Sequence, residues 1–216
     1  MPERRTGHDG IIFDLDGTLW DSTAACAEAW NEVLKELELP DKRFTSKDIE
    51  KLMGMTLEQI FNVSFPEKDE ALRRKLAAEC LAKEIDFIAR TGVAVYPGVQ
   101  VGLKSLSEHY PLFIVSNCGP AYLKTFFEVT GLKIHFRDSE CHGNTKLPKS
   151  ENIRLVVERN MLKAAVYIGD TASDEQAAHL AGVSFCHAAY GFGVPVKPCL
   201  QFKSFPEMIP HFVGKP

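Results

Sequence analysis

Three short apolar runs, each ending in polar residues, constrain the fold of this chain most strongly. They read GIIFD, which ends at Asp14, LFIVSN, which ends at Ser116 and Asn117, and AVYIGD, which ends at Asp170. Each run is apolar on both faces and rich in β-branched or aromatic residues, which is typical of a strand buried inside a parallel sheet. Because ligands bind at the carboxyl ends of such strands, we expect the polar residues at these ends to converge on one crevice.

Helical patterns alternate with these runs. One follows the second run and ends at Gly131, one follows the third and ends at Gly182, and another begins at Ser150, ahead of the third run. Strands that alternate with helices predict right-handed βαβ units and a doubly wound parallel sheet of the α/β class. Nearer the C-terminus, SFCHAAYGFG predicts an outer strand that leads into a glycine loop, and SFPEMIPHF predicts a short helix.

The stretch from residue 21 to residue 92 does not follow this alternation and predicts helices only. Apolar residues recur there at helical spacing, and we expect Gly54 and Gly92 to end two of the helices. Thr56 and Gln59 have the spacing of a capping box, which predicts a helix start. We therefore expect a smaller all-helical cap domain, residues 21–92, inserted in an α/β core domain formed by residues 1–20 and 93–216.

Composition and charge exclude several classes of partner. The chain has 216 residues, a net charge of −4 and an isoelectric point near 6.0, which argues against binding to nucleic acid. No apolar stretch approaches the roughly 18 residues of a membrane span, and the first residues lack the apolar region of a signal peptide. The six cysteines are scattered without a C-x-x-C pair, which favours buried thiols over disulfides. We expect a cytoplasmic protein that binds no membrane.

Four aspartates near the strand ends point to a metal-assisted reaction. Asp14 and Asp16 are two residues apart, and Asp170 and Asp174 are four apart. Carboxylates crowded into a desolvated site repel one another, and a metal ion or a shared proton relieves that repulsion. Mg²⁺ prefers oxygen ligands and commonly takes one or two carboxylates. We expect Asp14 and Asp170 to bind Mg²⁺ directly, and Asp174 to bind it directly, through water, or only to favour a helix N-terminus.

At this point the motifs resemble those of a known family. DLDGT after an apolar run resembles the first motif of the haloacid dehalogenase (HAD) superfamily of phosphohydrolases, VSN the second, a lysine before a helix the third, and GDTASD the fourth. The order is the same, and the resemblance covers nearly the whole chain. The helical insertion is similar to the caps of the phosphoglycolate phosphatase and β-phosphoglucomutase subfamilies. The resemblance implies a Rossmann-like core and Mg²⁺-dependent phosphoryl transfer.

The resemblance also implies roles for single residues. Asp14 would attack the phosphoryl group and carry it as an aspartyl-phosphate. Asp16 would protonate the leaving alcohol, then activate water, and its backbone carbonyl would bind the metal. The hydroxyl of Ser116 and the backbone N–H of Asn117 would hold phosphoryl oxygens.

Two features of the resemblance leave choices among residues. The family lysine usually belongs to a Lys-Pro-x-Pro signature, which this sequence lacks, so both Lys146 and Lys149 are candidates. Lys149 directly precedes the predicted helix and is the preferred catalytic and substrate-binding lysine. In the insertion, LMGMTLEQ looks like the loop with which relatives meet the substrate, so Gly54 and Met55 are candidate specificity residues.

The sequence thus predicts a Mg²⁺-dependent phosphatase of a small phosphorylated metabolite. A sugar phosphomutase stays open because it shares all the core motifs, and a non-enzymatic phospho-acceptor is disfavoured because receiver domains lack D-x-D-G-T. Asp16 argues against a dehalogenase, and a phosphonatase would need a cap lysine such as Lys47 or Lys51. The substrate (phosphoglycolate, a sugar phosphate, a nucleoside monophosphate or pyrophosphate) and the choice between monomer and homodimer are left open.

Overall fold

A parallel sheet of six strands forms the centre of the protein. The computed structural model describes residues 6–39, 41–197 and 199–214. Within them the strand order is β3-β2-β1-β4-β5-β6, and every neighbouring pair is parallel. In chain order the strands are β1 (Gly10–Phe13), β2 (Leu112–Ser116), β3 (Phe136–Cys141), β4 (Ala165–Gly169), β5 (Ser184–Ala188) and β6 (Leu200–Phe202). The predicted doubly wound α/β fold is confirmed.

Helices cover both faces of this sheet and fill the connection after β1. They are α1 (Thr23–Glu36), α2 (Ser46–Glu50), α3 (Leu57–Ser64), α4 (Glu70–Thr91), α5 (Val99–Ser107), α6 (Pro120–Thr130), α7 (His142–Thr145), α8 (Lys149–Arg159), α9 (Ala172–Ala181) and α10 (Met208–Phe212). Short 3₁₀ helices occupy Leu132–His135 and Phe205–Glu207. Across the described parts of the chain, no helix combines the length and apolar character needed to cross a membrane.

The alternation of side chains along β1 divides the core between two faces. Ile11 and Phe13 pack on one face with α5, α6 and α10, where they meet Phe126. Ile12 points to the other face and joins Val156 of α8 in a second cluster. Side chains of this size contribute about 1.5–3 kcal/mol each when fully buried, so β1 is held firmly on both faces. Its carboxyl end is therefore a rigid place from which to project Asp14.

Helices α1–α4 share a separate apolar cluster and lie within residues 21–92, where only helices were expected. The ring of Trp30 lies at the centre of this cluster, with ring centroids 5.4 Å from Phe44 and 5.2 Å from Phe61. The Thr56–Gln59 capping box is present as predicted. We call residues 21–92 the helical insertion. The exact domain boundaries stay a prediction.

Gly54 does not end a helix, and this prediction was wrong. Helix α2 stops at Glu50, and turns lead from there to Gly54, which has a φ of +83°. Its lack of a side chain lets the loop approach α9, because an added Cβ would lie 3.0 Å from Ser173 Oγ. Gly92, Gly131 and Gly182 do end helices with positive φ, as predicted.

Two edge strands were not predicted. Strand β3 adds to one side of the sheet, and β6 lies beside β5, so β5 is not the outer strand that its sequence suggested. Helix α5 also had no separate prediction. The predicted terminal helix is present as the 3₁₀ turn followed by α10.

Candidate active site

The polar residues at the strand ends meet at one edge of the sheet, as the parallel arrangement requires. Asp14 directly follows β1, Ser116 ends β2, and Asp170 directly follows β4. The N–H of Asp14 donates to the carbonyl of Ile168 at 2.8 Å, which continues the pairing of β1 with β4 to the end of the strand. All three side chains are buried.

Lys149 joins two of the aspartates. Its ammonium nitrogen lies 2.9 Å from Oδ1 of Asp14 and 2.6 Å from Oδ1 of Asp174. Burial alone would lower the pKa of Lys149, but the two carboxylates outweigh it and raise the pKa above its ordinary value. Lys149 is therefore a permanent cation beside Asp14. Lys146 is exposed at the end of α7 and has no such contact with Asp14.

Three carboxylates form a compact cluster around this edge. Asp14, Asp170 and Asp174 each offer an oxygen within 4.8 Å of the others. Burial first, and then the neighbouring carboxylates, raise the pKa of Asp14 and of Asp170. Oδ1 of Asp170 is buried and has no hydrogen-bond partner in the described parts of the chain. The donor set fits a divalent cation that prefers oxygen ligands.

Two glycines allow the backbone to pack directly against Asp170. An added Cβ at Gly17 would lie 2.2 Å from Oδ2 of Asp170, and one at Gly191 would lie 2.4 Å from its Cβ. The N–H of Phe192 also donates to Oδ2 of Asp170 at 2.8 Å. Asp170 is thus oriented from both sides, and Oδ1 is left toward the cluster.

Asp174 uses both of its oxygens within the protein. Oδ2 accepts hydrogen bonds from the N–H and the hydroxyl of Thr171, in a capping box that begins α9. Oδ1 contacts Lys149. The structure thus adds a contact that the sequence did not suggest: Asp174 holds the lysine as well as starting the helix.

Asp16 is oriented by three donors that meet on one oxygen. Oδ1 accepts from Nε1 of Trp20 at 2.8 Å, from Oγ of Ser22 at 2.8 Å and from the hydroxyl of Tyr122 at 2.7 Å. Burial raises the pKa of Asp16, and these hydrogen bonds counteract the rise only in part. A carboxyl with one oxygen fixed in this way has its other oxygen free to exchange a proton.

The residues after β2 connect the sheet to the helical insertion. The hydroxyl of Ser116 accepts from the N–H of Cys118 at 3.3 Å. The side-chain amide of Asn117 donates to the carbonyl of Gly54 at 2.7 Å. The sequence suggested a role for the backbone of Asn117, but its side chain also ties the Gly54 loop to the site.

Comparison with known proteins identifies the family. A model described as haloacid dehalogenase-like hydrolase matches residues 11–188. The chain belongs to this family. A phosphoglycolate phosphatase of Nitrosospira multiformis is 30% identical, with 84% of this chain and 83% of the relative covered. The pyrophosphatase PpaX of Listeria innocua is also 30% identical, with 77% of this chain and 76% of the relative covered.

Solved structures show the same fold. A predicted phosphoglycolate phosphatase of Haemophilus somnus superposes with a TM-score of 0.81 at 22% identity, covering 94% of this chain and 97% of that one. The predicted family and the predicted class of enzyme, a phosphatase, are confirmed by these comparisons.

The candidate active-site edge of this haloacid dehalogenase-like hydrolase opens into a cavity of about 660 Å³ that residues of the helical insertion also line. Asp14, Asp16 and Ser116 line its floor, and Gly54 and Met55 line its side. Apolar side chains of the insertion line much of the rest: Ile49, Leu52, Met53, Leu57, Ile60 and Leu81. The two candidate specificity residues therefore do border the cavity, together with many residues that the sequence did not single out.

Glu84 of α4 is the most unexpected of these residues. It is buried, and its carboxylate accepts from Sγ of Cys26 at 2.9 Å and from Nε1 of Trp30 at 2.8 Å. Burial raises the pKa of Glu84 to about 7. One signal was present in the sequence, because Leu76, Cys80, Glu84 and Ile88 recur every four residues and all lie on the buried side of α4. A charged residue on such a stripe indicates a buried, partnered group.

Proposed function

We propose that this hydrolase is a Mg²⁺-dependent phosphatase that cleaves a small phosphate monoester through an aspartyl-phosphate on Asp14. The observation that carries the proposal is the buried contact of Lys149 with Asp14 inside a cluster of three carboxylates. Burial and the neighbouring carboxylates raise the pKa of Asp14, and the charge of Lys149 opposes that rise, which favours the ionised form that a nucleophile requires. The same charge lies where a phosphoryl group would bind.

Asp14, Asp170 and the backbone carbonyl of Asp16 would hold Mg²⁺, with Asp174 beside them. The unpartnered Oδ1 of Asp170 and the shared burial of the three side chains support this assignment. When bound, Mg²⁺ supplies positive charge that offsets the carboxylates and the phosphate dianion. Asp174 acts mainly by orienting Lys149, because both of its oxygens are already engaged.

The chemistry of the chain's own residues follows from their positions. A carboxylate oxygen of Asp14 attacks phosphorus and displaces the alcohol, which takes a proton from Asp16. The ionised Asp16 then removes a proton from water, which attacks the phosphorus of the aspartyl-phosphate, releasing inorganic phosphate and restoring Asp14. The raised pKa of Asp16 favours the protonated form that the first step needs.

Binding of the phosphoryl group falls to residues at the neighbouring strand ends. Ser116 and the backbone N–H of Asn117 would donate to phosphoryl oxygens, and Lys149 would contribute its charge. The helical insertion would act as a cap, held down by the hydrogen bond from Asn117 to Gly54. A cap that covers this edge excludes bulk water from the charged groups.

The experiment that tests the proposal measures phosphate release from a panel of phosphate monoesters, with Mg²⁺ and with a chelator. We expect release from at least one ester, loss of release with the chelator, and loss of release in Asp14→Asn. Asp9→Asn is the matched control, because Asp9 lies at the opposite end of β1, where its carboxylate accepts hydrogen bonds from the backbone N–H groups of residues 163 and 164. Undiminished turnover by Asp14→Asn would refute the mechanism.

The intermediate has its own test. In Asp16→Asn, attack by Asp14 needs a good leaving group, but water is no longer activated. We expect an acid-stable, hydroxylamine-sensitive phosphoprotein to accumulate with acetyl phosphate or an aryl phosphate, and none to form in the double variant that also carries Asp14→Asn.

A further inference from the structure

The cavity contains a second carboxyl group, Glu84, that the proposed mechanism does not use. Polar contacts of 2.8, 3.5 and 2.9 Å lead from Oδ1 of Asp16 through Oγ of Ser22 and Sγ of Cys26 to Oε1 of Glu84, and the single thiol proton of Cys26 is donated across the shorter contact to Glu84. Glu84 therefore lies near the reacting groups, but on the insertion side of the cavity. Its exposed fraction is 4%, whereas Glu58, a cavity-lining residue of α3, is exposed. Glu84 is an inner group of the cavity.

No cation neutralises Glu84 in the described parts of the chain. Its partners are the neutral donors Cys26 and Trp30. The adjacent Lys83 turns away and pairs with Glu32 and Glu36.

The other groups that face Glu84 do not supply positive charge either. The nearest of these is Asp16, whose negative charge raises the pKa of Glu84 further. Tyr122, which lines the same cavity, contributes a neutral hydroxyl. Buried carboxylates are normally paired with a cation, and each oxygen of Glu84 can accept one further hydrogen bond. The inner cavity is therefore suited to a ligand that brings a positive donor.

Four positive side chains line the cavity, and none of them pairs with Glu84 in the described parts of the chain. The guanidinium of Arg73 donates to the carbonyl of Lys68, and Arg74 is exposed and pairs with Glu70. Lys146 is exposed. Beside Glu84, a second anionic group on a substrate would meet the carboxyl of Asp16 as well. Elsewhere in the lining, Lys149 is paired with Asp14 and Asp174, and Nε of Arg73 is buried without a hydrogen-bond partner in the described parts of the chain.

The size and the lining of the cavity point to a bulky organic group. At roughly 30 Å³ for each non-hydrogen atom, the volume of a liquid water molecule, a two-carbon phosphorylated acid would fill about 270 Å³. The cavity measures about 660 Å³. Pockets of this volume hold ligands of drug size and bury apolar rings or chains against side chains such as Leu52, Leu57 and Ile60.

We propose that the substrate's leaving group is an apolar ring or chain that carries an amino group, which Glu84 binds at the inner end of the cavity. This inference rests on the proposed phosphatase function and names its class of substrate. It predicts poor use of small acidic esters such as phosphoglycolate, because these leave the apolar lining unfilled and bring a second negative charge toward Glu84.

The test measures binding, so that it does not depend on turnover. The dissociation constants of 4-(aminomethyl)benzyl phosphate, benzyl phosphate and phosphoglycolate are measured by calorimetry with Mg²⁺ and Asp14→Asn protein at about pH 8. We expect the aminomethyl ester to bind about tenfold more tightly than the benzyl ester, since a hydrogen bond to a charged group discriminates on that scale. Phosphoglycolate should bind most weakly.

Glu84→Gln, added to Asp14→Asn, should abolish the preference for the amino group and leave the benzyl ester's affinity within about twofold. Glu79→Gln is the matched control, because it makes the same substitution on α4 at a glutamate that pairs with Lys75. We expect this variant to keep the preference for the amino group. If Glu84→Gln does not fold, the preference in Asp14→Asn is measured again at about pH 5.5, where protonation of Glu84 should diminish it.

Three results would overturn the inference. They are equal affinity for the two benzyl esters, absence of binding by both, and a preference that survives Glu84→Gln. The last result would mean that Glu84 does not bind the amino group and only joins α4 to α1 through its hydrogen bonds with Cys26 and Trp30. Failure of the phosphatase proposal would give a different result. The wild-type protein would release no phosphate, but the dissociation constants of the two benzyl esters could still be measured and compared.

Discussion

Lys149 combines a buried structural position with the catalytic role that we propose for it. It touches Asp14 and Asp174, and all three side chains are buried. In Lys149→Met the carboxylates would face each other without a cation, which costs about 3 kcal/mol of unfolding free energy. We also expect kcat/KM to fall at least about a hundredfold, the usual loss when a charge-stabilising group is removed. Phosphate release and urea unfolding measure the two effects.

Lys146→Met is the control for this prediction, because the sequence alone left both lysines as candidates. Lys146 is exposed and lies at the end of α7. We expect its variant to keep wild-type stability and at least half of the wild-type kcat/KM. A larger loss of activity in Lys146→Met than in Lys149→Met would reverse the assignment.

Glu84 should make the stability of the protein depend on pH in an identifiable way. Its pKa rises from 4.5 to about 7 on folding because of burial. The unfolded chain therefore loses the proton first as pH rises, so the folded state is penalised progressively from about pH 4.5 to pH 7 and fully above it. The shift corresponds to roughly 3 kcal/mol at most.

Urea unfolding of wild type and Glu84→Gln at pH 5 and pH 8 checks this sign. We expect the wild type to lose stability relative to the variant between the two values, because the amide cannot ionise. A constant difference between the two proteins across this range would show that Glu84 does not titrate in the folded state as described.

Among the elements of the fold, the loop between α2 and α3 is one of the connections between the helical insertion and the candidate active site. Gly54 has a φ of +83°, and an added Cβ would meet Ser173 Oγ at 3.0 Å. Gly54→Ala should therefore cost about 1–2 kcal/mol of stability through the backbone and also push the loop away from α9. We expect kcat/KM to fall about tenfold, since small displacements near the site are amplified in the rate.

Gly131→Ala separates these two effects. Gly131 has a φ of +68°, but an added Cβ there would meet nothing within 4 Å. We expect a similar loss of stability by calorimetry and unchanged phosphate release. Equal activity losses in the two variants would mean that backbone strain, and not the contact with α9, explains the effect of Gly54→Ala.

The predictability of each element from sequence depended on whether it is buried on both faces. Strands β1, β2 and β4 are fully buried and read as apolar runs. Strand β3 lies at the sheet edge, where Asp138 and Glu140 pair with Arg159 of α8, so its sequence FRDSEC shows no apolar run. Edge strands satisfy their polar residues through neighbours that a local pattern does not reveal.

At the scale of the whole molecule, the candidate site was predictable because topology does most of the assembly. A parallel sheet brings the ends of distant strands together, so Asp14, Ser116 and Asp170 could be grouped from sequence. The contact of Asn117 with Gly54 and the hydrogen bonds of Glu84 with Cys26 and Trp30 could not, because each depends on how elements distant in the sequence pack together; the spacing along α4 indicated only that Glu84 is buried. Local spacing carries no information about that packing.

The stability of the whole molecule should respond to Mg²⁺ through the buried carboxylates. Burial and the charges of Asp174 and Asp14 raise the pKa of Asp170 to about 8, so folding without metal must take up a proton near neutral pH, which reduces stability. Asp170→Asn cannot titrate, so it avoids this cost and should raise the metal-free melting temperature by about 3 °C, which corresponds to roughly 1 kcal/mol for a domain of this size. Mg²⁺ should raise the melting temperature of the wild type and not that of Asp170→Asn.

Asp138→Asn distinguishes this effect from a general consequence of removing an aspartate. Asp138 accepts hydrogen bonds from Arg159 and Asn160, which lower its pKa although burial opposes them, so its loss should reduce the melting temperature. That variant should keep the full response to Mg²⁺, because Asp138 lies outside the three-carboxylate cluster. A wild-type melting temperature indifferent to Mg²⁺, or a Mg²⁺ response retained by Asp170→Asn, would contradict a metal site at this edge. A higher melting temperature in Asp170→Asn and a lower one in Asp138→Asn would mean that Asp170 reduces the stability of the metal-free protein and is kept because it binds the metal.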